Sequence, residues 1–214
     1  MISTLHYISR QTPAAAHTDQ IMAACDAGCK WIQLRIKNET PENILPVAAA
    51  AKIICDRYKA ALIINDYPHI AVAVEAAGTH VGLGDMTVAA ARAITGPEMI
   101  VGGTANTAAD IIQHAAHGAS YVGLGPFRFT TTKQQLSPIL GLSGYQAIMQ
   151  KLQQKSITIP VIAIGGILLQ DIPALMQTGI HGIAVSGLIT QASDKAVLVQ
   201  HIFEQTNKQA LWNH

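Results

Sequence analysis

Seven side chains could do anion chemistry together if the fold gathered them: Gln33, Arg35, Lys37, Asn65, Asp66, Asp85 and Lys133. The segment Trp31-Ile-Gln-Leu-Arg-Ile-Lys37 alternates, so an extended chain puts Gln33, Arg35 and Lys37 on one face and Ile32, Leu34 and Ile36 on the other. Turned toward a site, the polar face offers two cations and an amide; otherwise Lys37 begins a solvated loop and Arg35 makes an internal ion pair. Asn65-Asp66 and Gly84-Asp85 each end an apolar run. Two carboxylates meeting at one rim suit Mg2+, which takes one or two of them and leaves its other positions to water and substrate phosphates. Taken singly, each Asp reads first as an ordinary helix N-cap, and only the pair beside Arg35 and Lys37 points to a metal and diphosphate site. His80 alternates within its run and reads either as a satisfied core histidine or as a catalytic one.

A second group of residues points to a separate phosphate. Thr130, Thr131 and Thr132 stand beside Lys133, and hydroxyls with an ammonium donate well to phosphate oxygens, although such a stretch also makes a plain polar turn. Near the end of the chain come Ile164-Gly165-Gly166-Ile167 and Val185-Ser186-Gly187, whose small residues let backbone N–H groups approach an anion. These residues specify a phosphate ligand without specifying a reaction.

Something must hold these groups at one rim. Short β-branched runs recur, at Leu5–Ser9, Trp31–Lys37, Ala61–Asn65, Thr79–Leu83, Met99–Thr104, Tyr121–Gly125, Pro160–Gly165 and Gly182–Ser186. Amphipathic stretches around Ile21, Val47, Val72, Ala90, Ile111, Ile148, Leu175 and Val199 alternate with them, the pattern of βαβ units. Ala27-Gly28, Ala77-Gly78, His117-Gly118 and Thr178-Gly179 each precede a strand, where glycine is expected to cap the preceding helix. No GxGxxG follows the first strand, and the units are even in size. The expected fold is therefore α/β, a single parallel (β/α)8 TIM barrel over residues 1–214, with its chemistry at the C-terminal ends of the strands. Asp66 and Asp85 are expected at the exposed rim.

Composition narrows the partners. Half of the 214 residues are hydrophobic, 13% are charged and the net charge is +1 without a Lys/Arg cluster, so neither nucleic acid nor an anionic membrane is expected as a partner. The longest apolar stretch, Ile44–Ala51, falls short of the roughly 20 residues of a bilayer span, and no signal peptide is visible, so a cytoplasmic location is expected. Cys25, Cys29 and Cys55 are odd in number and lack a CxxC, and read as buried free thiols.

In order and spacing these residues resemble the thiamine phosphate synthases over nearly the whole chain. The resemblance is carried by Gln33-Leu-Arg-Ile-Lys37, Ile63-Ile-Asn-Asp66, His80-Val-Gly-Leu-Gly-Asp85-Met86 and Gly102-Gly-Thr104. Further on it continues in Gly125-Pro126, Thr130-Thr-Thr-Lys133, Leu140-Gly-Leu142, Ile162-Ala-Ile-Gly-Gly166 and Gly182-Ile-Ala-Val-Ser186. It implies a transferase that joins hydroxymethylpyrimidine diphosphate to a thiazole phosphate, giving thiamine phosphate and pyrophosphate. It also implies Mg2+ on Asp66 and Asp85, and the diphosphate on Gln33, Arg35, Lys37, Asn65 and Lys133, with Arg35, Lys37 and Lys133 assisting its departure. The thiazole phosphate falls to Thr130, Thr132, Gly166 and the amides around Val185 and Ser186, while Thr104 lies next to the pyrimidine. Leu83, Arg128-Phe129 and Gly187 depart from the family pattern, and Arg128 adds a cation near the site. The competing readings are a thiazole tautomerase-like relative, a phosphosugar isomerase or aldolase-type barrel, and a noncatalytic barrel binding a phosphorylated metabolite. The first should lose the diphosphate and metal residues, which this chain keeps.

Overall fold

A computed structural model describes residues 1–12, 15–129 and 137–207. Eight parallel strands close on themselves in sequence order, β1 (Leu5–Ile8), β2 (Trp31–Leu34), β3 (Ala61–Asn65), β4 (Gly78–Val81), β5 (Ile100–Ala105), β6 (Tyr121–Leu124), β7 (Val161–Ile164) and β8 (Gly182–Val185). Closure is made by β8 on β1, with Leu5 opposite Ile183 and Tyr7 opposite Val185. Helices follow the strands: α1 (His17–Asp26), α2 (Pro41–Arg57), α3 (Pro68–Ala73), α4 (Val88–Thr95), α5 (Ala108–Ala116), α6 (Gly141–Gln154) and α7 (Ile172–Met176). After β8 the chain makes one further short turn, α8 (Gly187–Thr190), before α9 (Lys195–Asn207). This is the (β/α)8 barrel expected from the alternation, with α8 as an element that the periodicity did not announce.

Alternation along the strands divides the core in two. Leu5, Tyr7, Ile32, Leu34, Leu62 and Ile64 face outward into the shell between sheet and helices, where full burial of each aliphatic side chain contributes roughly 1.5–3 kcal/mol. Ile8, Trp31, Ile63, Tyr121, Ile162 and Ala184 come from six different strands and fill the barrel itself. The strands end earlier than the apolar runs suggest: β2 stops at Leu34 and β4 at Val81, so Arg35 to Lys37 and Gly82 to Leu83 belong to the rim loops. There the charged groups find solvent and ligand instead of a neighbouring strand.

Three of the four anticipated capping glycines, Gly28, Gly118 and Gly179, have positive φ at helix ends. Gly78 is a correction. It opens β4, and a Cβ there would lie 2.3 Å from the Ile100 carbonyl oxygen, so glycine is needed for close strand approach; α3 instead ends through Val74, with Glu75 at φ 53°. All three cysteines are buried free thiols. No helix among the described residues is long and apolar enough to cross a membrane.

Candidate active site

Inward alternation continues past the barrel core into the site. Above Trp31 the next inward residue of β2 is Gln33, which is buried and donates from Nε2 to Asn65 Oδ1 at 2.6 Å. That bond crosses from β2 to β3 and fixes both amides at the rim. Arg35 is half-buried just beyond; burial lowers its pKa while the carboxylates of Asp66 and Asp85 oppose this, and a guanidinium keeps its proton regardless. Lys37 donates to Asp66 Oδ2. The polar face of the β2 segment therefore lines the site.

Asp66 and Asp85 leave capping to other residues. Tyr67 occupies the N-cap of α3, and the Thr87 hydroxyl caps α4 by accepting from Ala90 N at 3.2 Å. Asp66 holds φ 65° with its N–H donated to the His80 carbonyl at 2.8 Å, a left-handed geometry that costs a non-glycine residue energy and is retained where a site needs it. Asp85 lies in an exposed loop, but its carboxylate turns back toward Asp66. Partial burial, followed by the Asp66 carboxylate beside it, raises the Asp85 pKa. Gly82 makes this possible, since a Cβ there would stand 2.3 Å from Asp85 Oδ2. Two carboxylates forced together next to solvent are relieved by a divalent cation, so the donor set fits Mg2+ with its remaining positions open. Among the described residues no cluster of three or more His, Cys, Asp or Glu side chains could hold a metal, so any metal here rests on this pair. The exposed-rim expectation holds for Asp85 and not for Asp66, whose side chain is 11% exposed.

The floor is aromatic and was not legible as a unit. His80 is buried, with Nδ1 3.1 Å from the Tyr121 hydroxyl and Nε2 3.0 Å from Thr104 Oγ1. It thereby joins the core and, through Thr104, the rim. Gly102 clears the space, because a Cβ on it would be 2.3 Å from Tyr121 Cζ. His6 stacks on Trp31 with ring centroids 4.3 Å apart; burial, then the charge of His80, lowers its pKa to about 3, so it is neutral. The signal available in sequence was the glycine at alternate positions of β5 and β6 opposite His80 and Tyr121.

Across the mouth, β7 and β8 end side by side, with Ile164 opposite Ala184. Gly165 and Gly166 follow with φ 99° and 67°. The Ser186 hydroxyl is buried without a hydrogen-bond partner among the described residues. Val185 points its side chain into the outer shell, leaving only backbone groups for a ligand. Thr130, Thr132 and Lys133 lie outside the described residues. Arg128 is placed plainly: it forms a two-pronged ion pair with Asp171 at 2.8 and 3.0 Å and donates to the Gly166 carbonyl at 2.6 Å. It ties the loop after β6 to the loop after β7 and is not a free cation for substrate. Asn106 braces the same region, donating from Nδ2 to the carbonyls of Gly125 and Pro138, both at 2.9 Å.

A profile of the thiamine monophosphate synthase family matches residues 5–189. The chain belongs to that family. It is 50% identical over 205 residues to thiamine-phosphate synthase of Flavobacterium johnsoniae, covering 96% of this chain and 97% of the relative. To the Bacteroides fragilis thiamine-phosphate synthase it is 48% identical over 191 residues, covering 89% and 94%. Its structure matches thiamine phosphate pyrophosphorylase of Pyrococcus furiosus with a TM-score of 0.82 at 26% identity, covering 96% of each chain. A match to 3-hexulose-6-phosphate synthase, TM-score 0.67 at 17% identity with 95% of this chain covered, reflects the barrel alone. Thiamine monophosphate synthases are transferases, and this chain is an enzyme of that class.

Proposed function

We propose that the enzyme joins hydroxymethylpyrimidine diphosphate to thiazole phosphate at this rim, releasing pyrophosphate. The observation that supports it is the convergence of Gln33, Arg35, Lys37, Asn65, Asp66 and Asp85 on one side of the mouth, facing the Gly165–Gly166 turn and Ser186 on the other. Simple capture of one phosphate needs only half of that set.

In the reaction the methylene C–O bond to the diphosphate breaks, its electron pair leaving on the pyrophosphate oxygen. The thiazole ring nitrogen supplies the pair for the new C–N bond. Negative charge therefore concentrates on the leaving group, where fixed donors act most strongly. Gln33 and Asn65, locked to each other, present amide groups to the diphosphate, and Arg35 and Lys37 supply the cations. Mg2+ held by Asp66 and Asp85 would supply further charge neutralisation on the departing diphosphate. Thr104, bonded to His80, borders the pyrimidine. Thr130, Thr132, the Gly166 backbone, Ser186 and the amides near Val185 anchor the thiazole phosphate so that the ring nitrogen faces the reacting carbon. Holding both reactants in line supplies several kcal/mol of barrier reduction by itself.

The deciding experiment mixes the two substrates with and without Mg2+ and measures thiamine phosphate and pyrophosphate. Formation of both products only with metal is expected. Binding of thiazole phosphate without any pyrophosphate release would favour a tautomerase-like or noncatalytic barrel instead. Two variants refine the assignment. Lys133→Ala is expected to lower kcat by about tenfold with a smaller change in thiazole phosphate KM, since its charge serves the leaving group; the reverse pattern would move Lys133 to the other phosphate. Arg128→Ala should raise the thiazole phosphate KM about threefold and lower stability by about 1 kcal/mol, because its ion pair with Asp171 is 43% exposed on the arginine side and so partly screened by solvent. A change in diphosphate KM alone would contradict the loop-tying role.

A further inference from the structure

The end of β8 has a cation over it that the reaction as described leaves unused. Tyr7 pairs with Val185, so the chain leaving β1 runs beside the turn that follows β8, and it carries Arg10 there. A Cβ built on Gly187 would lie 3.7 Å from Arg10 Nη1, so the guanidinium stands directly over a residue that has no side chain of its own. On the other flank Ser9 secures this segment to β2, its N–H donating to the Gln33 carbonyl at 2.9 Å and its hydroxyl accepting from Arg35 N at 3.3 Å. His17 Nδ1 holds the same hydroxyl at 2.9 Å. Arg10 is therefore carried on a short, braced segment. A polar cavity of about 300 Å3 opens beside it, its charged walls being Arg10, Arg35 and Lys37 with Glu39 as the one carboxylate.

The three cations of this cavity are not equivalent. Lys37 is engaged by Asp66, and Arg35 lies in the field of Asp66 and Asp85. Arg10 forms no hydrogen bond or ion pair with any described residue, although it is half-buried. A guanidinium cannot shed its charge to suit burial, so its donors call for an acceptor, and an anion is the strongest one. One residue before Gly187, the Ser186 hydroxyl is buried and unpaired among the described residues, and Gln191 Oε1 stands 3.9 Å from the same built Cβ, without a hydrogen bond to Arg10.

We propose that Arg10 is a substrate-binding residue that grips the acceptor's phosphate monoester from the β1 side, together with the Ser186 hydroxyl and the backbone of the turns after β7 and β8. This rests on the reaction proposed above and extends it. Arg10 would then discriminate the phosphorylated thiazole from its free alcohol, and it would sit between the acceptor phosphate and the diphosphate cations without belonging to the latter.

Isothermal titration of the full chain with thiazole phosphate, with the dephosphorylated thiazole alcohol and with inorganic pyrophosphate plus Mg2+ separates the possibilities. Arg10→Ala should weaken thiazole phosphate binding about ten- to hundredfold, the loss expected for a charge-assisted hydrogen bond to an anion, and leave the alcohol and pyrophosphate within about twofold. Arg10→Lys should recover part of the loss, and the thermal transition of each variant checks that it is folded. In steady state the KM for thiazole phosphate should rise while that for the diphosphate stays put. An equal loss for the alcohol, a loss confined to pyrophosphate, or no loss at all would overturn the proposal. If the unaltered enzyme itself failed to bind thiazole phosphate, the substrate reading would fall and this inference with it.

Discussion

Asp85→Ala and Asp66→Asn are each expected to reduce magnesium-dependent turnover by about a thousandfold while leaving the protein folded, a size in keeping with removing an electrostatic device at the leaving group. The two positions call for different substitutions. Asp85 lies in an exposed loop with its main chain turned only through its N–H to the Gly82 carbonyl at 3.2 Å, so alanine removes the carboxylate without disturbing a packed neighbour. Asp66 holds φ 65°, where alanine would add roughly 1 kcal/mol of backbone strain that asparagine largely avoids. Either change has a second effect of opposite kind. Losing Asp66 frees Lys37 from its ion pair, whereas losing Asp85 removes the like charge crowded against Asp66. The Asp66 variant should therefore retain some diphosphate affinity through a freed Lys37 while losing its response to Mg2+. Initial rates across a magnesium titration, with circular dichroism melts as the folding control, distinguish these outcomes. Wild-type-like rates with an unchanged magnesium dependence in either variant would remove the metal from this pair.

The barrel was legible because both of its periods are written into the chain: apolar β-branched runs for strands buried on both sides, and amphipathic stretches between them. Strand ends were not, since Arg35-Ile-Lys37 continues the alternation of Trp31–Leu34 after the hydrogen-bonded ladder has ended. Alternation is a property of extended chain, and extended chain continues into a rim loop. Gly78 was misread for a related reason: Ala77-Gly78 before a strand looks like a helix cap, but the decisive neighbour is Ile100, which is distant in sequence. The two carboxylates and the β2 cations were visible as residue types, while the fact that Asp66 and Asp85 do not cap α3 and α4, whose N-caps are Tyr67 and Thr87, came only with coordinates. Arg128 reads in sequence as a cation near the site whose direction is open, and the direction is decided by Asp171, far along the chain, which takes both of its prongs.

Gly166→Ala tests the other half of the mouth. The residue has φ 67°, and a Cβ would stand 2.9 Å from the Phe129 carbonyl oxygen and 3.0 Å from Arg128 Cβ. Backbone strain and close contact act together here, and neither can relax cheaply, because Arg128 Nη1 is bonded to the Gly166 carbonyl and its other prong to Asp171. The turn must shift, carrying its N–H groups away from where a phosphate would lie. The expected loss of stability is about 1–3 kcal/mol, a drop of roughly 5 °C in Tm for a domain of this size. The larger effect is functional: KM for thiazole phosphate should rise about a hundredfold, since several backbone donors move as a unit, while the diphosphate site across the mouth keeps its affinity. Gly84→Ala is the matched control. It lies on the same rim with nothing within 4 Å of the added carbon and no positive φ, so both KM values and Tm should stay near those of the unaltered enzyme. If Gly166→Ala lowered Tm but left the thiazole phosphate KM unchanged, the turn after β7 would be a packing device only, and the acceptor phosphate would have to be held from β8 and the loop after β6.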